Sequence, residues 1–554
     1  MKRDISKLAD TVFDAVVIGG GIHGATIFFQ LASAGVKVAL IEKNDFGGAT
    51  SANSLKILHG GLRYLQHLNI KRMRESINSR KYFMQMAPHL IKPMPCIMPT
   101  YGLGMQGQPV MGLAMLLFDI ISWDRNRNAP PENRVGRGRL LTRSQCLKIG
   151  PGIAPEGLTG AALWYDDLIT STERMSLEFI KRGCQYTGNA ANYLEATKLS
   201  RAGNRITGME VTDRMNGNTF TLRCRTVINA AGPWVDTIKH EFHQAGTTEK
   251  LAKAVNIVIR KPLFNGYGVG LAGRDEFIDQ DAKIKRGKRL YFFAPWKNRT
   301  IIGTTYRYYE GQYDDLQVSS DDIKEILDEV NAIYPHGAVT VDDVIFTHAG
   351  LMPAHAPKAG DYSAPPQLVK HSRIIDHAEL ENLEGLLTIE GVKYTTAPAI
   401  ARRIEKQLRK KNLLPAAPHG GRFDSDSATL SPHEQNLITS YGGRFPHIAD
   451  NFGHDAVKVY EIMATEAGGA NNLTRDNTLV KAEVLFCVRE EMAVKLADII
   501  LRRTDCGTTG CPGRDELDQI ASVMAEELGW SDDRTAHEKE LVMAHFHTTL
   551  GIPT

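Results

Sequence analysis

One-sided charge is the first thing missing from this 554-residue sequence: 66 lysines and arginines stand against 63 aspartates and glutamates, a net charge of +3. That balance leaves no basic footprint for a nucleic-acid surface, so no nucleic-acid partner is expected. Cysteine is sparse. Cys96, Cys146, Cys184, Cys224, Cys487, Cys506 and Cys511 are odd in number and scattered, which argues against a disulfide framework and for a reducing, cytoplasmic compartment. Cys506 and Cys511 share the loop CGTTGCPG, but no second close pair and no nearby His-x-x-x-His completes a zinc site, so no metal is expected. Long apolar runs are lacking too. The opening MKRDISKLADTVFD has no apolar core of signal-peptide length. The only membrane-suggestive stretch, PVMGLAMLLFDIISW at residues 109–123, is too short to span a bilayer and carries Asp119. Arg125, Arg127, Arg134, Arg137 and Arg139 follow it. A buried helix is the plain expectation there; a helix lying in a membrane surface is the functional alternative. Internal repeats and low-complexity tracts are absent as well.

What is present is a soluble, globular composition, 42% hydrophobic and 23% charged, with length for more than one domain. Residues 14–42, DAVVIGGGIHGATIFFQLASAGVKVALIE, read as strand, glycine turn, helix, turn and strand. Gly19, Gly21 and Gly24 fit G-x-G-x-x-G, and Glu42 follows roughly 20 residues on. Gly19 permits the tight turn. Gly21 lets the backbone approach a pyrophosphate, which then sits at the positive end of the helix. Gly24 lets helix and strand pack closely, and Glu42 suits an adenosine ribose diol. The motif specifies a dinucleotide without separating FAD from NAD.

Next comes a small, polar loop with Gly47, Gly48, Thr50, Ser51, Asn53 and Ser54, whose amides and hydroxyls suit phosphates or a flavin edge. His59-Gly60-Gly61 leads into a helix expected from about Leu62, with Arg63 and Tyr64 at its start. Residues 158–167 read as strand and turn, 168–183 as helix, and 197–225 as an antiparallel ribbon. Residues 226–238, TVINAAGPWVDTI, are a buried strand ending at Ala231-Gly232, a return to the first domain. Residues 253–259 and 290–305 read as strands of a second sheet, 319–334 as an amphipathic helix, 342–353 and 386–396 as strand-then-turn units, and 397–410 as a basic helix. From residue 424 the pattern is mostly helical.

Several of these segments, in order and over almost the whole chain, resemble the FAD-dependent glycerol-3-phosphate dehydrogenases: DAVVIGGGIHGATIF, GGATSANSLKILHGGLRYL, VINAAGPWVD, FFAPWKNRTIIGTT, the GLMP and EGVKYTT turns, and AVKLADIILRRT. The resemblance implies an α/β fold: a Rossmann-like FAD-binding domain of the glutathione-reductase/D-amino-acid-oxidase type, an antiparallel substrate domain, and a helical C-terminal domain. The expected segments are 1–60, 150–240 and 340–412 for FAD, 61–149 and 241–339 for substrate, and 424–554 for the helical domain. The implied reaction takes a hydride from C2 of sn-glycerol 3-phosphate to FAD, giving dihydroxyacetone phosphate, with electrons passing to a quinone. Expected partners are a small anionic substrate, a quinone or other acceptor, a peripheral contact with the inner face of the cytoplasmic membrane, and a second copy of the chain. Another flavin oxidase or dehydrogenase of hydroxy or amino acids, and a non-catalytic FAD-binding paralogue, are the alternatives.

By the same resemblance Gly19, Gly21, Gly24 and Glu42 hold the ADP half, Thr50, Ser51 and Ser54 lie along the pyrophosphate and flavin, and Ala231 and Gly232 flank the adenine side. Arg63, Tyr64 and Lys393 line the substrate pocket as the catalytic group, Asn256 joins them in binding substrate, and Thr395 and Thr396 lie near the flavin. Arg63 offers a bidentate fork for phosphate. Lys393 neutralises anionic reduced flavin or helps take the hydroxyl proton. Three positions depart from the family pattern. Met352 stands where a G-V-R-P arginine is usual, Asn256 where a Lys-Gly-Ser-His histidine is usual, and Leu55 where a serine is usual. Loss of a bidentate phosphate contact costs roughly 1.5–3 kcal/mol, and His348, His355 and Lys358 are the neighbours available to substitute.

Overall fold

The computed structural model describes residues 1–62, 69–102, 107–241, 250–278, 286–357, 360–416, 420–421, 423, 430–476, 478–549 and 551. A six-stranded sheet runs in the order Arg373–Asp376, Leu386–Glu390, Val227–Asn229, Ala15–Ile18, Val38–Ile41, Gly188–Ala191. All its pairs are parallel except the outermost, Arg373–Asp376 with Leu386–Glu390. Ala15–Ile18 and Val38–Ile41 are buried at every residue, as continuous apolar runs covered on both faces must be. Helix Ile22–Ala32 packs beside Thr172–Gln185 and Ala397–Lys410, so ten of its eleven residues are buried. The strand–turn–helix–strand unit expected over 14–42 is thus the centre of the parallel sheet, with these helices on one face and Val16, Ile18, Ala39 and Ile41 turned to the other.

The ribbon expected near 197–225 forms from Leu194–Ala202, Arg205–Asp213 and Thr219–Cys224, antiparallel, with Val12–Phe13 added in parallel at the edge. The largest sheet has the order Val344–Ala354, Lys250–Ile259, Arg299–Tyr309, Arg286–Trp296, Gly268–Ile278, Ile91–Tyr101, Leu158–Ile169, Ile57–Leu58, with Arg139–Thr142 on the side of Leu158–Ile169. Its pairs are antiparallel apart from Gly268–Ile278 with Ile91–Tyr101. Leu158–Ile169 runs through Asp166 and Asp167, where a turn was expected. Both carboxylates are buried, Asp166 accepting from the Gly60 amide at 2.7 Å and Asp167 from Arg80 Nη2 at 3.0 Å. The helix expected from Leu168 therefore starts later, at Thr172, with the Ser171 hydroxyl accepting from the Arg174 amide. The helix expected from about Leu62 is seen as Ile70–Met86, capped by Asn69.

Helices between Pro432 and Ala544 make up the C-terminal part. Buried ion pairs tie it to the nucleotide-side elements. Asp45 accepts from Arg502 Nε (2.6 Å), Arg503 Nη1 and Nη2 (2.6 and 2.8 Å) and Asn192 Nδ2 (2.9 Å). Glu491 accepts from Arg174 Nη2 (2.8 Å) and Nη1 (3.1 Å) and Lys181 Nζ (3.0 Å). Burial alone would raise both carboxyls, but Arg503 and Arg502 at Asp45, and Arg174 and Lys181 at Glu491, hold them below the carboxylate range.

The helix Gln108–Ile121 corrects the plain expectation of burial. Only Met115 and Phe118 are buried, while Leu113, Leu116, Leu117, Ile120 and, just beyond, Trp123 at 78% are exposed. Uniformly apolar composition had concealed which face the core would take. Among the described residues no helix is long and apolar enough to cross a membrane.

Candidate active site

The glycine turn opens a cleft of about 3040 Å³ that runs from the parallel sheet to the face of the largest sheet. Gly19 has φ +105°, and a Cβ there would lie 2.6 Å from the Ala230 carbonyl oxygen. At Gly24 a Cβ would lie 1.8 Å from the Gly19 carbonyl oxygen. Gly24 therefore holds helix against strand and does not line the cleft, whereas Gly19 and Gly21 do. Gly21 is the helix N-cap and has no side chain to occupy the free amides. The Ser51 hydroxyl accepts from the Ile22 amide at 2.9 Å. Glu42 accepts from the amides of Gly20 (2.7 Å) and Asn44 (2.8 Å). Burial raises its pKa in spite of those two donors. Open amides at a helix N-terminus beside a carboxylate fit the pyrophosphate and ribose of a dinucleotide. Ala231 and Gly232, the latter at φ +60°, line the cleft with Ala230 and Trp234.

The polar loop after Glu42 joins the two large sheets. Thr50 Oγ1 donates to the Leu351 carbonyl (3.1 Å) and accepts from the Leu351 amide (3.2 Å). Ser54 Oγ accepts from the Lys56 amide at 3.1 Å. Lys56 itself was missed in the sequence. It is buried, with Nζ 2.9 Å from both Glu173 carboxylate oxygens and 3.2 Å from Thr172 Oγ1. A lysine inside a loop of glycines and hydroxyls was the available signal. The late turn arrives from the other side. Gly391 sits so close to His23 that a Cβ would lie 2.3 Å from its ring. Lys393 and Thr395 line the cleft; Thr396 does not, and its hydroxyl donates back to the Lys393 carbonyl at 3.2 Å. Arg63 and Tyr64 lie outside the described residues, as does Lys358.

The largest sheet supplies the opposite wall as a row of direct cross-strand partners: Phe292 with Gly303, Gly303 with Asn256, Asn256 with His348. Direct partners share one face of a sheet, and all four line the cleft. The next rows on the same face pair Ala254 with Gly350 and Ala252 with Met352. A Cβ on Gly350 would lie 3.0 Å from Thr50 Cγ2, so this face looks onto the polar loop. Thr304 Oγ1 donates to Asn256 Oδ1 at 2.7 Å. His348 is buried, and neither ring nitrogen has a hydrogen-bond partner among the described residues. Burial, then the charge of Lys56, lowers its pKa well below the ordinary value, so the imidazole is neutral at neutral pH.

The family profile described as FAD dependent oxidoreductase matches residues 14–407.

The chain belongs to the FAD-dependent oxidoreductases. A second profile, the C-terminal domain of alpha-glycerophosphate oxidase, matches residues 425–535. This FAD-dependent oxidoreductase is 28% identical to a glycerol-3-phosphate dehydrogenase of Synechocystis, covering 96% of each chain. It is 27% identical to an alpha-glycerophosphate oxidase of Streptococcus pneumoniae, covering 99% of this chain and 97% of that one. The crystal structure of the glycerol-3-phosphate dehydrogenase from Bacillus halodurans, complexed with FAD, shares the fold with a TM-score of 0.72 at 22% identity, over 97% of this chain and 95% of that one. FAD is the cofactor of this oxidoreductase fold, and the helix N-terminus with its glycine N-cap, the Glu42 carboxylate and the cleft that both line fit it.

Proposed function

We propose that this FAD-dependent oxidoreductase oxidises sn-glycerol 3-phosphate at C2 to dihydroxyacetone phosphate and passes the electrons to a quinone. The observation that carries the reading is one cleft walled by the glycine turn, the Lys393 turn and the Asn256–His348 row. Names of relatives that match this chain end to end support the substrate. Bound FAD supplies the acceptor for the hydrogen and electron pair that leave C2. Gly19, Gly21 and Glu42 hold the ADP half, Thr50, Ser51 and Ser54 the polar middle, Ala231 and Gly232 the adenine side, and Thr395 the flavin edge. The Lys393 ammonium offsets negative charge that accumulates on reduction. Arg63, Tyr64 and Asn256 bind substrate; Lys370, next to Val369 whose amide donates to the Pro353 carbonyl at 2.9 Å, adds positive charge beside Met352, and Arg289 adds it elsewhere on the cleft wall. The division into FAD segments 1–60, 150–240 and 340–412, substrate segments 61–149 and 241–339, and a helical 424–554 belongs to the same reading. Strands Leu158–Ile169 and Val344–Ala354 then cross from the first unit into the sheet of the second.

Quinones reside in lipid, and the exposed stripe Leu113, Leu116, Leu117, Ile120 and Trp123 followed by arginines supports a peripheral contact with an anionic bilayer. Leu116→Glu with Ile120→Glu abolishes sedimentation with anionic liposomes under this reading; unchanged sedimentation removes the contact. The substrate is tested by anaerobic bleaching of the bound flavin. Glycerol 3-phosphate bleaches it if the reading holds. Bleaching by a hydroxy or amino acid, with none by glycerol 3-phosphate, replaces it with the second substrate class.

A further inference from the structure

Among the titratable groups on the cleft wall, His348 stands apart. Lys56 is committed to Glu173, His59 Nδ1 lies 3.1 Å from Asp166 Oδ2, and the His23 ring packs against Gly391, with its Nδ1 buried and unpartnered among the described residues. His348 is 1% exposed, and both its nitrogens are buried with no partner among the described residues. A buried polar side chain left in that state is rare in a folded protein, and one on a cleft wall calls for a ligand atom to complete it. Its place in the sheet says which ligand atom. His348 is the direct cross-strand partner of Asn256, on the face that looks onto the Thr50 loop. Asn256 has no basic lone pair, and its Oδ1 already accepts the Thr304 hydroxyl proton. Asn256 can orient a substrate hydroxyl; it cannot take a proton from one.

We propose that His348 is the proton acceptor of the reaction, placed one strand over from Asn256 in the same row. The proposal rests on the reading of the substrate as a secondary alcohol given above. The substrate O–H bond breaks and an N–H bond forms on a ring nitrogen of His348. The C2 hydrogen departs with its electron pair to the acceptor already named, and the C2–O bond becomes a carbonyl. The imidazolium returns its proton to solvent once product has left. Lys393, at the opposite wall, has only the charge-offsetting role given above. A neutral imidazole has the free lone pair this requires, and burial beside Lys56 keeps His348 in that form.

The test compares FAD-loaded wild type with His348→Asn, His348→Gln and the exchange variant Asn256→His/His348→Asn. Three quantities are measured: FAD uptake by the apoprotein, perturbation of the flavin spectrum by dihydroxyacetone phosphate, and the anaerobic rate of flavin bleaching by sn-glycerol 3-phosphate. Both single variants should take up FAD and bind dihydroxyacetone phosphate within about threefold of wild type, yet bleach about 10²–10⁴-fold more slowly. The exchange variant should regain at least about tenfold of that loss. Single variants that bleach within about fivefold of wild type overturn the assignment, as do variants that lose FAD uptake in step with bleaching. An exchange variant no faster than His348→Asn overturns the equivalence of the two positions. Wild type that glycerol 3-phosphate fails to bleach refutes the substrate reading itself, an outcome distinct from the others.

Discussion

Replacing Gly24 by alanine places a methyl carbon 1.8 Å from the Gly19 carbonyl oxygen. Side-chain carbons in real proteins essentially never come closer than 3.0 Å, so turn and helix must part by about 1.2 Å. Two hydrogen bonds hold the turn and the helix start that must shift, Gly20 N to Glu42 at 2.7 Å and Ile22 N to Ser51 at 2.9 Å. A displacement of this size takes either beyond bonding reach. One lost buried bond costs about 1–3 kcal/mol, and the overpacking a further 1–3 kcal/mol. With about 3 kcal/mol falling on the nucleotide-bound state, the FAD dissociation constant rises roughly a hundredfold. The assay is titration of apoprotein with FAD by fluorescence quenching, with thermal unfolding recorded with and without FAD. Gly35→Ala is the control. Gly35 has φ +78° but open space around a Cβ, so alanine there costs about 1 kcal/mol of backbone strain and lowers Tm while leaving FAD affinity unchanged. Gly24→Ala protein that binds FAD within about threefold of wild type would refute the close-packing account of this glycine.

Lys393→Met should keep FAD and slow anaerobic bleaching by at least about a hundredfold; an unchanged rate removes the electrostatic role of the lysine. Glu491→Gln leaves Arg174 and Lys181 facing a neutral amide in the interior, at a cost of about 3–5 kcal/mol, and calorimetry of this 554-residue chain should show Tm lower by roughly 3–4 °C. A Tm within error of wild type would show that the C-terminal helices dock without this pair. Acid should destabilise the fold before the carboxylates titrate. Burial, then a nearby arginine (Arg403, Arg174 and Arg502 in turn), lowers His23 to about 4, His89 to about 3 and His545 to about 4. The unfolded chain binds these protons near pH 6.5, so stability is full above that value and falls as pH drops towards 4. Each histidine contributes a loss of up to about 1.4 kcal/mol per pH unit. Urea midpoints at pH 7.5 and 5 measure it, and His89→Gln should flatten the difference; an equal difference in the variant counts against the assignment.

The nucleotide half was legible because its signals are local. Residues 14–42 show their strands, turn and helix through apolar runs and glycines, and the observed boundaries differ from the expected ones by a few residues. The ribbon near 197–225 and the helix Ser320–Ile333 were legible for the same reason, a regular period between turn residues. Asp166 and Asp167 misled, since adjacent carboxylates read as solvated turn until Gly60 and Arg80 are brought to them from elsewhere in the chain. The helix Gln108–Ile121 misled in a different way. Apolar residues all round it carry no phase, so only packing chose Met115 and Phe118 for the interior. His348 was visible as a neighbour of Met352, but its pairing with Asn256 is a register between strands almost a hundred residues apart, and register is not written in either strand alone.

The row Phe292–Gly303–Asn256–His348 has a consequence for how such a catalyst can change over time. A pleated sheet is a lattice with a fixed spacing between columns, about 4.8 Å in the hydrogen-bonding direction. Moving a functional group one column sideways keeps its height above the floor and its direction of aim, and alters only where along the substrate it touches. A helix or loop offers no such translation, because a neighbouring position points elsewhere. A wall of this kind can therefore lose a residue in one column and recover its chemistry in the next by two ordinary substitutions, with the cofactor undisturbed on the far side. Divergence then advances across the wall column by column, and a missing side chain is a reason to look at the adjacent strand.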